Sequence, residues 1–478
     1  MTERIRGHES QIIKGALWLF ALIVFFYLRW QPDPETILNI DEYIAPAVSD
    51  AMRRLGSLDP NWSNTDLPDF FRYDQYNFYV YMIAAHLAIS TGNLFDFEPL
   101  QSARLLNIAL QLATIPMLYL SIRTLTGSVI CGFAGIFLFI TLPTAVMDSA
   151  IVRPESLLYF TSAALLLVST ATMGKTKTLV LWGVIFAFGA AIKITFVTLA
   201  PLLAGAYILR FGFELKRAAM DAALTVLAFA IALFVLAPFM FINADVTLNG
   251  LAYLQNQYDG LHPPHSLKFG NAIHYFLHNL HFFVLVIPAI FVLGGIGLFY
   301  GTRTERIWIA ALLSTFLILL LYFSTRTVFF ERNYAHAIVP AIAAAAIGLF
   351  VLRRRVELPA TLIVLACVLF VPVNMSVAVV QGIHQGADDL AQFQQARGLS
   401  DHVRISEEHS LSNQYLPECG LFVFADFNDD FSEIYTASAV AAGYAIDAVY
   451  LSRFRVLPTS TLHTDIDSGH IFISRPCE

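Results

Sequence analysis

The sequence predicts an all-α polytopic membrane protein of about eleven transmembrane helices, followed by a small C-terminal α/β appendage outside the cytoplasm. Three observations predict it. Of the 478 residues, 57% are hydrophobic and only 14% charged, against about 25% charged in a typical soluble domain. The apolar residues gather in runs close to the roughly 20 residues that span a bilayer. After about residue 380 the chain becomes polar and mixed. The net charge of −7 comes without any long acidic or basic run, which excludes a nucleic-acid arm. There is no Walker loop, no Gly-rich dinucleotide turn and no Cys/His zinc spacing.

The apolar runs fall at about 12–30, 103–122, 128–147, 155–173, 178–193, 195–210, 219–241, 275–300, 306–324, 336–352 and 358–380. Alternate loops between them are basic. They hold Arg4, Arg6 and Lys14, then Arg123, Lys175 with Lys177, Arg210 with Lys216 and Arg217, Arg303 with Arg306, and Arg353 to Arg355. Short cytoplasmic loops collect Lys and Arg, so the N-terminus is expected in the cytoplasm. The first run also has the basic start of a secretory signal, but it is long and no small-residue cleavage site follows, so a retained anchor is expected. The segment "YNFYVYMIAAHLAIS" at 76–90 would reverse every later loop if it crossed. It is therefore expected to be an amphipathic helix on the outer surface.

This arrangement divides the chain into a transmembrane catalytic domain, 1–380, with a first extracytoplasmic loop at 31–102, and an extracytoplasmic C-terminal domain, 381–478. In the latter, "LFVFADF" and "HIFIS" read as strands and "SEIYTASAVAAGYAIDAV" as a helix. Cys419 and Cys477 lie in this part and are candidates for a disulfide in an oxidising compartment.

The candidate chemistry gathers on one face of the membrane. "ILNIDEYIAPA" places Asp41 and Glu42 about ten residues past the first span. They would cap a juxtamembrane helix, "DEYIAPAVSDAMRRLG", and a cap alone needs no function. The same loop also carries Arg72 and Asp74, the next outer turn carries Arg153 and Glu155, and Lys193 interrupts an apolar stretch in "AIKITF". A later outer turn, "STRTVFFERNYAHAIVP", supplies Arg326, Arg332, Tyr334 and His336. Ionisable residues at membrane depth face a cavity or a partner. A carboxylate can take a proton from an alcohol or amine while cations steady a departing phosphate, the chemistry of sugar transfer from a lipid-linked phosphate.

In order, "NIDEYIAPA", "FFRYDQYNFYVYMIAAHLA", "ARLLNIALQLATIPMLYLSIRTLTG", "VRPESLLYF", "AIKITFVTLAPLL" and "ERNYAHAIVPAIA" resemble the membrane glycosyltransferases of the GT-C fold. Within that fold the pattern is most similar to the dolichyl-phosphate-mannose–protein mannosyltransferase and aminoarabinose transferase group, family 39/83-like. The likeness spans roughly 10–380. It implies that Asp41 is the catalytic base or arranges donor and acceptor, with Glu42 as its neighbour in the site. It implies that Arg153 and Glu155 form the second acidic outer motif and that Lys193, Arg326 and Arg332, with Arg153, hold the donor phosphate. Where relatives often show a Lys-Pro-Pro element, this chain has Arg72-Tyr73-Asp74-Gln75, so the sugar or acceptor differs.

The expected activity is inverting transfer from a polyprenyl-phosphate sugar, hexosyl or pentosyl, to an extracytoplasmic lipid, glycan or protein acceptor at a cell inner membrane. Adjacent carboxylates attract hard cations, which makes Asp41 and Glu42 candidates for Mg or Mn. His274, His278 and His281 share one helical face and are read mainly as packing residues, with metal ligation as the alternative. The rival functions are a transporter or flippase of lipid-linked glycans and a non-catalytic membrane scaffold.

Overall fold

Apolar runs become helices because inside hydrocarbon each backbone N–H and C=O must find its partner within its own segment. The computed structural model describes residues 2–30, 44–60, 78–256, 271–326, 330–397, 403–405, 420–426, 445–451 and 469–475. Its helices, in chain order, begin with α1 (Thr2–Arg29), α2 (Ile44–Leu55), α3 (Tyr79–Gly92), α4 (Pro99–Thr126), α5 (Val129–Ile140) and α6 (Pro143–Ala150). Next come α7 (Glu155–Thr170), α8 (Lys175–Ile192), a 3-10 segment (Ile194–Leu199), α9 (Ala200–Phe211), α10 (Leu215–Leu236), α11 (Phe239–Ile242) and α12 (Ala244–Asn256). The series closes with α13 (Ala272–Val286), α14 (Pro288–Tyr300), α15 (Arg303–Phe323), a 3-10 turn (Glu331–Tyr334), α16 (Ala335–Arg353) and α17 (Leu358–Arg397).

Among the described residues, seven helices are long and apolar enough to cross a membrane, or up to nine when each of two bent pairs counts as one span. The chain is a multi-pass, predominantly helical membrane protein. The bent pairs fall on two of the expected spans. The run at 128–147 turns by 55° between α5 and α6, and the run at 275–300 turns by 94° between α13 and α14. Each break precedes a proline, Pro143 and Pro288, at the start of the following helix. Proline offers no N–H to the preceding turn and disfavours helical backbone in the residue before it.

The centre of the bundle is α16, whose residues 335–349 are buried throughout. Its run "AIAAAAIG" lets neighbours approach closely, as small residues do in membrane interfaces. A Cβ on Gly348 would meet the carbonyl of Leu293 on α14, and one on Gly297 would meet Gly348 itself. The outermost helix is α10, which is apolar and has no buried residue. It rests on α8 at Gly183, where a Cβ would meet Thr225 O.

Helices α2 and α3 pack against each other, with Ser49 Oγ 2.9 Å from His86 Nδ1. The buried face of α2 holds Ala45, Val48, Ser49 and Met52, at helical spacing. Its open face carries Asp50, whose carboxyl the hydrogen bond from Arg53 holds below its ordinary range. Within the 76–90 segment, the described residues from Tyr79 on are helical and pack on α2 and α4.

The described strands near the C-terminus, β1 (Val403–Ile405), β2 (Gly420–Asp426), β3 (Ala445–Leu451) and β4 (Gly469–Arg475), form one sheet in the order β1-β2-β4-β3. β1 runs parallel to β2, and the other pairs are antiparallel. β2 contains "LFVFAD" and β4 contains "HIFIS", within the two strand-like sequences. Residues 445–449, by contrast, were expected to finish a helix and instead open β3, paired with β4. "AIDAVYL" carries Ile, Val and Tyr, which suit a pleated surface once a partner strand is available. The expected boundary at 380 falls inside α17, which continues to Arg397. Cys419 and Cys477 lie outside the described residues.

Candidate functional site

A polar stripe on α4 organises the site. Arg104, Asn107, Gln111 and Thr114 recur at helical spacing, and all four are buried. Gln111 Nε2 donates to Ala145 O at 2.7 Å and to Ser156 Oγ at 3.0 Å, and Ser156 Oγ donates to Asp148 O at 2.9 Å. Asn107 Nδ2 donates to Ile151 O at 2.7 Å. Arg29, at the end of α1, donates from Nε to Gln111 Oε1 at 2.8 Å and from Nη1 to Ile140 O at 3.1 Å, with its guanidinium 4.3 Å from the Phe25 ring centre. Apart from the Arg29–Gln111 bond, which ties α1 to α4, these donors satisfy oxygens around the α5–α6 break and the α6–α7 turn, where helical bonding lapses. Tyr159 Oη donates to Asp148 Oδ2 at 2.7 Å. The turn carrying Arg153 and Glu155 is therefore fixed from beneath.

Facing this turn is Lys193, at the break between α8 and the 3-10 segment. Its backbone is extended, at φ −157° and ψ 123°, and turns its side chain out of the helical series. Lys193 Nζ donates to Asn333 Oδ1 at 2.8 Å and lies 3.5 Å from Glu155 Oε1. Arg332 and Asp148 lie within electrostatic reach of it. The backbone around the break is pinned as well. Thr315 Oγ1 donates to Thr198 O at 2.9 Å, Thr198 Oγ1 lies 3.0 Å from His336 Nε2, and Phe196 packs on the His336 ring. Two elements, α7 and the 3-10 turn, thus hold the ammonium group through Glu155 and Asn333, while α15 and α16 fix the segment that follows it through Thr198.

The structure brings together Lys193 and Glu155, with Arg332 close by, from the sequence-predicted set. Arg153 is buried, two residues before Glu155. Arg332 sits 4.4 Å over the Phe330 ring and Arg326 4.9 Å over Tyr322. Tyr334 is part of an aromatic core with Phe283, Phe316 and Phe323, at ring separations of 4.5, 5.6 and 5.5 Å. His336 is wholly buried beside Thr198. Asp41, Glu42, Arg72 and Asp74 lie outside the described residues. Among the described residues no group of three or more His, Cys, Asp or Glu could hold a metal ion, His274, His278 and His281 included.

Sequence reasoning missed Asn333, Arg29, Asn107, Gln111, Thr198 and Thr315. The α4 stripe had a signal, polar side chains at three- and four-residue intervals in an otherwise apolar helix. Asn333 had none, because its partner is 140 residues away.

Neither a protein-family model nor a curated protein matches this sequence. Solved structures do match its fold. One is ArnT from Cupriavidus metallidurans bound to undecaprenyl phosphate, at 12% identity and a TM-score of 0.56, covering 97% of this chain and 98% of that one. The apo form of the same protein matches at 14% identity and a TM-score of 0.51, over 82% of this chain and 73% of that one. The apo Archaeoglobus fulgidus oligosaccharyltransferase matches at 12% identity and a TM-score of 0.50, over 76% of this chain and 55% of that one. These proteins are GT-C fold glycosyltransferases, and this chain shares their fold.

Proposed function

We propose that this protein transfers a sugar, with inversion, from a polyprenyl-phosphate donor to an acceptor on the extracytoplasmic side of the membrane. The observation that carries the reading is the Lys193 ammonium, held at a helix break between Glu155 and Asn333 inside a chain of the GT-C fold. A largely enclosed cation with few protein partners in a membrane domain suits an anionic ligand. A neighbour of the same fold, ArnT from Cupriavidus metallidurans, binds undecaprenyl phosphate, which favours a polyprenyl phosphate here.

In this reading Lys193, Arg332, Arg326 and Arg153 receive the donor phosphate. Asp41, with Glu42 beside it, takes the proton from an acceptor hydroxyl or amine. The acceptor atom forms its bond to the anomeric carbon as the bond from that carbon to the phosphate oxygen breaks, and the arginines and Lys193 stabilise the charge left on the phosphate. Arg72 and Asp74 belong to the acceptor side of the first outer loop. Tyr334 and His336 support the phosphate site through packing and through Thr198. Eleven spans, a cytoplasmic N-terminus and an extracytoplasmic domain at 381–478 complete the proposed architecture, in an inner membrane.

The test uses the wild type and Asp41→Asn in lipid nanodiscs, with polyprenyl-phosphate sugars and membrane acceptors, and follows release of free polyprenyl phosphate. Release by the wild type and its loss in a folded D41N protein are expected. Equal release by both moves the base to another carboxylate. No release with any donor defeats the transferase reading in favour of a carrier or a scaffold.

A further inference from the structure

Glu155 opens α7 and is 1% exposed. One of its oxygens, Oε1, faces Lys193 at 3.5 Å, while the other, Oε2, is buried with no hydrogen-bond partner. The groups around it are engaged with each other: Lys193 with Asn333, Ser156 with Asp148 O, and Tyr159 with the Asp148 carboxylate. A carboxylate oxygen withdrawn from water and bonded to nothing carries its full desolvation penalty, and natural structures keep such atoms where something outside the fold satisfies them.

The chemistry of that missing partner is narrow. An ionised carboxylate oxygen only accepts, so the partner is a hydrogen-bond donor, and a hydroxyl or an amine is the kind a ligand brings. It must sit beside whatever anion Lys193 binds, because the two groups are neighbours across a single ion pair. An anion and a hydrogen-bond donor that close together describe a sugar phosphate, whose ring hydroxyls or amines stand a few bonds from the phosphate oxygen. When the phosphate draws the Lys193 ammonium, Glu155 becomes available to the ring.

We infer that Glu155 reads the donor sugar: its unpartnered oxygen accepts from a ring hydroxyl or amine while Lys193 holds the phosphate of the same molecule. The inference rests on the proposal that Lys193 binds a lipid phosphate. It makes the donor class a polyprenyl phosphate whose first sugar bears a hydrogen-bond donor near the anomeric carbon. A site built to accept that bond rejects the deoxy analogue far better than an apolar pocket rejects an extra hydroxyl.

The test measures binding of farnesyl phosphate, its glucose, mannose and galactose esters, and the matching 2-deoxy esters to the full chain in nanodiscs, without acceptor. The wild type is expected to bind at least one ester about tenfold tighter than farnesyl phosphate. Glu155→Gln keeps an oxygen for Lys193 and replaces the free oxygen with a donor. It should hold farnesyl phosphate within about twofold and lose the roughly tenfold sugar increment, a charge-assisted bond's worth. Asn333→Ala, which frees Lys193, should weaken farnesyl phosphate and the esters alike. If E155Q aggregates, Glu155→Asp serves, since it keeps the charge and withdraws the oxygen.

An equal change in the affinities for farnesyl phosphate and the esters in E155Q, with the ester preference intact, makes Glu155 only the counter-ion of Lys193 and overturns the inference, as does a wild type that prefers no ester. A wild type that binds farnesyl phosphate no better than farnesol removes the phosphate site, and with it the functional proposal, which is a separate failure.

Discussion

Gln111 shows how much of this protein hangs on single buried amides. It accepts from Arg29 and donates to Ala145 O and Ser156 Oγ, linking α1, α6 and α7 through one side chain. Gln111→Leu has nearly the same volume but strands a buried guanidinium N–H. Leaving buried polar and charged groups unpaired costs about 3–5 kcal/mol, so the variant should melt several degrees lower than the wild type in the same detergent. An unchanged melting temperature would mean that water replaces the amide and that the stripe is not the support for the α6–α7 turn. Lys193 could be suspected from sequence because it interrupts an apolar run, and burial of a lone cation demands a partner. Of its two partners, Glu155 is already marked as an ionisable residue of an outer turn, whereas Asn333, 140 residues away, carries no mark in the sequence.

At the scale of elements, the bundle depends on places where two backbones touch. Gly348 lies against the Leu293 carbonyl, so any side chain there forces α14 and α16 apart. Gly348→Val should abolish accumulation of folded protein, or lower its stability by at least about 3 kcal/mol, by overpacking a contact with no room to yield. Gly295→Ala, on the same helix as Leu293 but facing open space, should be neutral. Fluorescence-detected size exclusion of the two variants separates the outcomes, and equal profiles would refute this account of the contact. The prolines at 143 and 288 are visible in the sequence, but the reading of the two runs as spans takes no account of them. An apolar run constrains only composition, whereas whether a proline kinks or ends a helix depends on what receives the freed carbonyls. At the first break, Arg29 takes the carbonyl of Ile140 and Ser376 takes that of Thr141.

For the whole molecule, the basic loops predict one orientation. Leu58 should face outward and Lys177 inward, and both are exposed. A membrane-impermeant maleimide applied to intact cells should therefore label Leu58→Cys above the wild-type background and leave Lys177→Cys unlabelled until the membrane is opened. The reverse pattern would place Glu155 and Lys193 on the cytoplasmic side and remove the argument for a lipid-linked donor.

Composition and the order of residues are enough to mark this chain as a helical membrane protein, to place its helices roughly, and to show that its ionisable residues gather near particular turns. Those properties follow from hydrophobic length and from the high cost of charge in hydrocarbon, both of which are local and additive along a chain. The tertiary structure alone decided that α5–α6 and α13–α14 bend, that residues 445–449 join a sheet, and that Lys193 meets Glu155 and Asn333. It also decided that Tyr334 and His336 are packed inside rather than lining an opening. Each of these depends on pairings between residues far apart in the chain, where the energy belongs to a shared geometry and no single segment carries it.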